Sequence, residues 1–267
     1  MSSAMTSLSP ENSLHFSLMT VNVRFGLADT GPHSWGNRKN AFASLLTGWR
    51  PDFIAMQEVN DFQADFFKSL LPDYGVIGER IPAPSFWQNV LIFYQRDWQC
   101  LKHQRFFLSH APDIPSRMVE SRWPRQCVMG RFKKNGLQVT CINTHFDFAE
   151  QVQRQSARII LDRLSDFSPD GHPQFLAGDF NAGPGSACHR ILTETVDTST
   201  VPFQDAFQGD AAGTVHKFTG KAVSDRVDWI LWRQGARLTD KRIITDRFDG
   251  LYPSDHFPVY AAFAGGV

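Results

Sequence analysis

An aspartate and an asparagine leave the end of one short apolar run together. Gln174-Phe175-Leu176-Ala177 is bounded by Pro173 and Gly178, and Asp179-Phe180-Asn181 follows. The run reads as a buried strand ending in a tight turn. Side chains two residues apart on extended backbone point the same way, so this carboxylate and carboxamide can address one reacting atom. A D-x-N pair is also ordinary turn chemistry, and its company is what gives it weight. Val21-Asn22, Met56-Gln57-Glu58, Ile142-Asn143-Thr144-His145 and Ser254-Asp255-His256 repeat the design of apolar run followed by polar residues. Asp228 lies inside the apolar run V-D-W-I-L, where a carboxylate is costly without a positively charged or N–H-donating partner.

Collected, these are Asn22, Glu58, Asn143, His145, Asp179, Asn181, Asp228, Asp255 and His256. Carboxylates with carboxamides and no thiolate form the hard oxygen set that Mg²⁺ or Mn²⁺ takes, and Glu58 is the first ligand expected. A histidine held by a buried aspartate has a fixed tautomer and raised basicity, a role that suits His256 with Asp228. Metal, acid, base and amide donors converging on one place suit in-line attack of water on phosphorus.

The elements that must position these residues follow from periodicity. Leu14 to Asn22 alternates as a strand, with Phe16, Leu18 and Thr20 on one face and Ser17, Met19 and Val21 on the other. Trp35 to Trp49 has helical spacing and Pro51 stops it. Asp52 to Met56 is a buried strand that delivers Gln57-Glu58 to the end where Asn22 lies, at the carboxyl edge where α/β proteins bind ligands. Asp61 is expected to cap a helix to about Leu71 with Phe62, Phe66, Phe67 and Leu70 as its buried stripe. Strands follow within Tyr74–Ile92 and over Trp98–Leu108. The loop Ser109–Pro124, with Arg117, Arg122 and then Arg125, suits phosphate capture. Asn135-Gly136 marks a hairpin joining Gln126–Lys133 to Leu137–Asn143. Helices are expected over Phe148–Phe167 and Ala187–Thr195. Phe203–Phe218 is loop-rich with His216 and Lys217 as chargeable tips, and strands over Val227–Trp232, Arg237–Thr245 and Phe257–Phe263 close the chain.

With no linker in 267 residues, residues 13–267 read as a single domain behind a Ser-rich N-terminal tail, 1–12, expected to be disordered. At 42% hydrophobic and 13% aromatic residues the chain can bury a sizeable core. Its formal net charge of +0 provides no global field for long nucleic acid, though a local basic patch stays open. Cys100, Cys127, Cys141 and Cys188 form no C-x-x-C pair, and buried free thiols in a reducing compartment are expected. Without a secretory pattern or a membrane-length apolar run, the expected location is the cytoplasm.

The blocks V-N-V-R, M-Q-E, N-T-H-F-D, A-G-D-F-N, R-V-D-W-I and S-D-H-F-P resemble, in order and spacing, the endonuclease/exonuclease/phosphatase superfamily from about Phe16 to Phe263. The resemblance implies a DNase-like four-layer α/β/β/α sandwich, two mixed, mainly antiparallel sheets face to face with helices outside, and a Mg²⁺- or Mn²⁺-dependent phosphoric ester hydrolase. By analogy Glu58 binds the metal with help from Asn22 and Asp255. Asp179 positions or deprotonates the attacking water, and Asn181 orients that water or the phosphate. His256, held by Asp228, contacts the phosphate as base or electrostatic clamp. His145 stabilises the phosphate or protonates the leaving oxygen, with Asn143 beside it among the substrate-binding residues.

Within the superfamily the chain is similar to a bacterial metal-dependent hydrolase branch, through Asn22–Arg24, Trp35–Arg38, Phe107–Ser109 and the His216-bearing segment Thr214–Gly220. Arg125 and Arg154 fall where that branch places site-facing arginines. Two departures bear on the substrate: Gln88-Asn89 stands where the branch carries an acidic residue, and the loop Ser109–Pro124 is short. The expected substrate is a small phosphorylated molecule or phosphodiester headgroup. A nuclease acting on DNA or RNA is the alternative enzyme, and a catalytically silent binding module requires loss of a core residue, none of which is missing.

Overall fold

The computed structural model describes residues 13–168, 171–195 and 201–266; the expected tail, 1–12, lies outside the described residues. Twelve strands are β1 (Ser13–Asn22), β2 (Phe53–Val59), β3 (Tyr74–Ile77), β4 (Asn89–Gln95), β5 (Gln99–Phe107), β6 (Gln126–Lys134), β7 (Leu137–His145), β8 (Gln174–Asp179), β9 (Gln204–Asp205), β10 (Asp228–Arg233), β11 (Ala236–Ile243) and β12 (Val259–Gly266). The helices are α1 (Trp35–Trp49), α2 (Asp61–Leu70), α3 (Glu150–Phe167) and α4 (Ala187–Thr193). One six-stranded sheet has the order β11-β12-β1-β2-β4-β3, the other β5-β6-β7-β8-β10-β9. Each is antiparallel except for one parallel pair, β1 with β2 and β7 with β8.

Strand alternation sorts side chains into three apolar layers. Phe16 and Leu18 of β1 meet Phe175 and Ala177 of β8 and Ile230 of β10 between the sheets. The opposite faces turn outward, Met19 and Val21 against Phe42 of α1 and Phe67 of α2, and Leu176 and Trp229 against Ile160 and Leu164 of α3. The result is the α/β/β/α sandwich, with both sheets buried on two sides. The hairpin turn is as expected: Asn135 and Gly136 both take positive φ, the backbone a two-residue primed turn requires.

Some elements differ from expectation. The residue capping α2 is Asn60, whose N–H donates to Gln63 Oε1 at 2.9 Å, while Asp61 accepts from Asn89 Nδ2 at 3.0 Å. Gln63, Ala64 and Phe67 are buried with the expected Phe66 and Leu70 packed beside them, but Phe62 is 40% exposed. Its ring covers the Gly26 backbone, leaving no room for a side chain there. Helix α3 starts at Glu150 because Asp147 Oδ1 accepts from Phe148 N and Ala149 N and holds them outside the helix. All four cysteines are free, and Cys127, Cys141 and Cys188 are buried. Among the described residues no helix is long and apolar enough to cross a membrane.

Candidate active site

The two parallel pairings decide where the chemistry lies. Asn22 ends β1 opposite Gln57 of β2, and His145 ends β7 opposite Asp179 of β8. Four strands therefore release their polar residues at one edge of the sandwich. Strand β10, antiparallel to β8, begins there with Asp228 paired to Asp179. Strand β12, antiparallel to β1, brings Asp255 and His256 back to the same edge from just ahead of its start.

Glu58 reaches the cleft through an irregularity. The register of β2 against β4 slips between Met56 and Val59, and Glu58 takes φ 62°. A left-handed non-glycine residue costs on the order of 1–3 kcal/mol, and bulges of this kind re-aim a side chain at a functional edge. The carboxylate is held there by Phe25 N, which donates to Oε2 at 2.7 Å. On the facing sheet, Gly178 lets β8 pass close to β7, since a Cβ would collide with the Thr144 carbonyl oxygen.

Asn22 spans the seam. Its Nδ2 donates to Glu58 Oε1 at 3.0 Å and to Asp179 Oδ2 at 2.9 Å, joining a carboxylate from each sheet. Asp179 Oδ1 accepts from Asn181 N at 2.9 Å. Asn181 Nδ2 donates to the Phe146 carbonyl at 2.9 Å and to His145 Nε2 at 3.1 Å, which puts the proton of a neutral His145 on Nδ1. His256 Nδ1 lies 2.9 Å from Asp228 Oδ2 and 4.0 Å from Asp179 Oδ2. Asp228 is thus paired with the N–H donor that its buried position demanded, while its Oδ1 has no partner among the described residues.

Charge is distributed unevenly over this cluster. Burial, with the positive charges of Arg125 and His256 nearby, keeps His145 neutral, well below the ordinary imidazole range. Burial and the adjacent Asp228 push Asp179 above the usual carboxylate range. Burial alone lowers the affinity of His256 for a proton, but Asp228, Asp179 and Asp255 outweigh it and raise the group above an ordinary histidine.

The donor atoms fit a hard cation. Ligand atoms of Glu58, His145 and Asp179 lie within 4.8 Å of one another, as do those of Asp179, Asp228 and His256. The first group sets two carboxylates, oxygen ligands of the kind Mg²⁺ and Mn²⁺ accept, on either side of the Asn22 amide nitrogen, whose own oxygen accepts from Arg24 N at 2.8 Å. Asp255 belongs to neither group; its Oδ2 is 3.2 Å from Arg24 Nη1.

Other expected substrate contacts have different positions. Asn143 is fully buried and links the sheets, accepting from Gln57 Nε2 at 2.7 Å and donating to the carbonyls of Met56 at 2.9 Å and Leu91 at 2.7 Å. Both amide hydrogens are committed, so it is a strut beneath the site. Asn143→Ala is expected to cost about 2–4 kcal/mol, because two buried carbonyls lose their donor. Equilibrium denaturation checks this, and a loss below 1 kcal/mol, on that same scale, would remove the strut.

His216 is not a chargeable tip: it is fully buried, its ring stacked on Phe257 at 3.9 Å and its backbone N–H donating to the Asp255 carbonyl. Arg154 is exposed on α3 and bonds no site residue. Of the expected arginine cluster only Arg125 is at the site, buried with Nε 3.6 Å from Asp147 Oδ2; Arg117 bonds carbonyls of its own loop, and Arg122 is exposed.

Asp147 and Arg38 were not singled out from sequence. Asp147 Oδ2 accepts from Ser121 Oγ and Arg122 N, both at 3.0 Å, and ties the arginine loop to the segment that carries His145. Arg38 donates to the carbonyls of Val23 and Pro253, joining the end of β1 to the turn before Asp255. The motif blocks contain or adjoin the residues these two hold, but nothing in the spacing reveals contacts between distant loops.

This layering, with acid, imidazole and amide groups gathered where its two sheets meet, is that of a DNase-like sandwich. The chain belongs to the Endonuclease/Exonuclease/phosphatase family, a family of hydrolytic phosphoesterases, whose profile matches residues 19–256. A conserved protein of unknown function from Enterococcus faecalis V583 is 27% identical, with a TM-score of 0.82 over 93% of this chain and 99% of that one. The mannosyl-6-phosphatase of Bacteroides thetaiotaomicron VPI-5482 is 24% identical, with a TM-score of 0.81 over 93% of this chain and 99% of that one. TDP2 of D. rerio, complexed with a single-strand DNA product, is 17% identical, with a TM-score of 0.73 over 93% and 98%. At the last two identities the likeness is one of fold. No curated protein matches the chain in sequence.

Proposed function

We propose that this protein is a divalent-metal-dependent phosphoesterase that hydrolyses a small phosphorylated molecule or headgroup through an activated water. The observation that carries the reading is the meeting of Glu58 and Asp179, one from each sheet, on Asn22. Glu58 and Asp179, with His145 beside them, would hold the cation; when bound, Mg²⁺ or Mn²⁺ would neutralise phosphate charge and lower the pKa of a coordinated water.

The chain's own groups supply the rest. Asn181 Oδ1, which bonds no group among the described residues, orients the attacking water, and Asp179 takes its proton as the new P–O bond forms in line with the bond that breaks. His256, its Nδ1 held by Asp228, presents Nε2 to the phosphate as a charged donor. This favours Asp179 as the base and His256 as the clamp. His145, neutral with its proton on Nδ1, stabilises the phosphate by a hydrogen bond, the departing oxygen takes its proton from solvent, and Arg125 balances phosphate charge from the cleft wall. One neighbour, a mannosyl-6-phosphatase, acts on a phosphorylated sugar and another, TDP2, carries a single-strand DNA product; the zero formal net charge disfavours extended nucleic acid as the substrate here.

The test is hydrolysis of bis-p-nitrophenyl phosphate and p-nitrophenyl phosphate with Mg²⁺, Mn²⁺ or chelator, beside Glu58→Gln. Turnover should need metal and the variant should need far more of it, by about 10-fold or greater, as expected when one charged ligand is neutralised. Turnover untouched by chelator would sink the metal-dependent reading. Preference for the diester would shift attention to headgroups and oligonucleotides.

A further inference from the structure

A cavity of about 480 Å³ opens beside His145, within the size range of small-molecule sites. Its walls come from two loops. Phe86 and Trp87 belong to the loop between β3 and β4, and Trp123 and Arg125 to the loop between β5 and β6, with Phe25 on a third side. The reaction scheme above uses none of these aromatic groups.

Two of them are exposed, Phe86 at 66% and Trp123 at 52%. Large aromatic groups are normally withdrawn from water, and when they stand at the mouth of a site they are the common anchors of a ligand. The backbone under Trp123 is fixed. Asp147 Oδ2 accepts from Arg122 N at 3.0 Å and Trp123 N at 3.4 Å, and Ser121 Oγ donates to the same oxygen at 3.0 Å. Gln126 Nε2 donates to the Gln88 carbonyl at 3.0 Å and ties the two loops together at the base of the cavity. The exposed rings therefore stand on a braced frame, which lowers the entropy cost of using them. Asp147 lies two residues after His145, so the same segment sets both the imidazole and the aromatic wall.

We infer that this cavity binds a planar aromatic ring carried by the substrate, joined to the phosphate that His145 and Arg125 address. The inference rests on the phosphoesterase reading and names the group that reading leaves open. The lining also argues against a sugar ring as occupant. A polyhydroxylated ring needs a hydrogen bond for each hydroxyl it buries, but the walls are mainly Phe, Trp, Val and Pro, and the buried polar atoms of Trp87 (Nε1), Arg125 (Nε) and Gln126 (Oε1), which have no hydrogen-bond partner among the described residues, are fewer than a hexose's hydroxyls and ring oxygen. An aromatic face asks only for stacking partners, and two aromatic groups at the rim of one cavity provide them. Two sources share this chemistry, a phenolic ring esterified directly to the phosphate and a nucleobase one sugar away.

The test uses calorimetric binding of non-hydrolysable phosphonates to the full chain with Mn²⁺. The probes are benzylphosphonate, cyclohexylmethylphosphonate, methylphosphonate, thymidine 5′-phosphonate and mannose 6-phosphonate. At least one aromatic probe should bind about 10-fold or more tightly than methylphosphonate and cyclohexylmethylphosphonate, as stacking on aromatic side chains predicts. In Trp123→Ala and Phe86→Ala, exposed positions whose loss leaves the core intact, that ratio should fall toward one. Whichever aromatic probe leads identifies the phenolic or the nucleobase source.

Equal binding of the benzyl and cyclohexylmethyl compounds would show a cavity that is only apolar and would overturn the inference. So would tightest binding of the mannose compound, a ratio unchanged in both variants, or binding of no probe. A preserved ratio in a protein that hydrolyses no phosphoester would remove the phosphoesterase reading and leave the aromatic site standing. Metal-dependent hydrolysis with a ratio of one would do the reverse.

Discussion

His256→Ala is expected to lower kcat/KM by at least about 10²-fold, the loss typical of removing an acid–base or charge-stabilising group from a reacting centre. The imidazole contributes more than a charge. Its Nδ1–H is the hydrogen-bond partner of Asp228 Oδ2 at 2.9 Å, and Asp228 Oδ1 has none among the described residues. Alanine therefore leaves a buried carboxylate with neither oxygen satisfied, and a stability loss of about 3 kcal/mol accompanies the rate loss. His256→Asn separates the two effects, because its amide can donate to Asp228 but cannot reach the phosphate as a charged group. Stability should return in that variant while the rate does not. A His256→Ala protein that stays folded and within a few fold of wild-type kcat/KM would end the role given to this residue.

Asp179→Asn should cost a similar factor, at least about 10² in kcat, for a different reason. Both oxygens of Asp179 accept hydrogen bonds, one from Asn22 Nδ2 and the other from Asn181 N, each at 2.9 Å. An asparagine must turn its NH₂ group toward one of these donors, so it loses the base and also unseats either the residue that spans the sheets or the one that orients the water. Thermal unfolding read beside the kinetics should show a modest loss of stability. Retained activity with disturbed stability would make Asp179 an organiser only and return the question of the base to His256.

The layers were legible because they depend on local alternation. Phe16 and Leu18 face one way and Met19 and Val21 the other, as the strand period demands, and the structure places them in different apolar layers. The site residues were legible as polar positions at the ends of apolar runs. What each does was less so, because a side chain's duty depends on what the other sheet brings to it. Asn143 has the type and position of a substrate contact, yet strand-end neighbours from the opposite sheet occupy its amide. Histidine at 216 looked like a loop tip because the loop reads as polar, but it folds under Tyr252 and Phe257. Of the expected stripe of α2, Phe66, Phe67 and Leu70 pack on the core as the helical spacing demands, whereas Phe62 turns aside to cover Gly26, a contact with a distant loop that spacing does not reveal. The irregularity that aims Glu58 left no mark on the sequence at all.

Glu58 and Asp179 belong to different sheets, and no covalent path shorter than the loops and helices between them fixes their separation. The distance between them is set by how thickly the central apolar layer packs. Side chains such as Phe16, Phe175 and Phe263, whose rings touch one another in that layer, thus act as the spacer of a two-jawed instrument whose tips are carboxylates. Catalytic geometry in this protein is in that sense a property of its core volume, and a substitution there can open or close the jaws while leaving every catalytic residue in place.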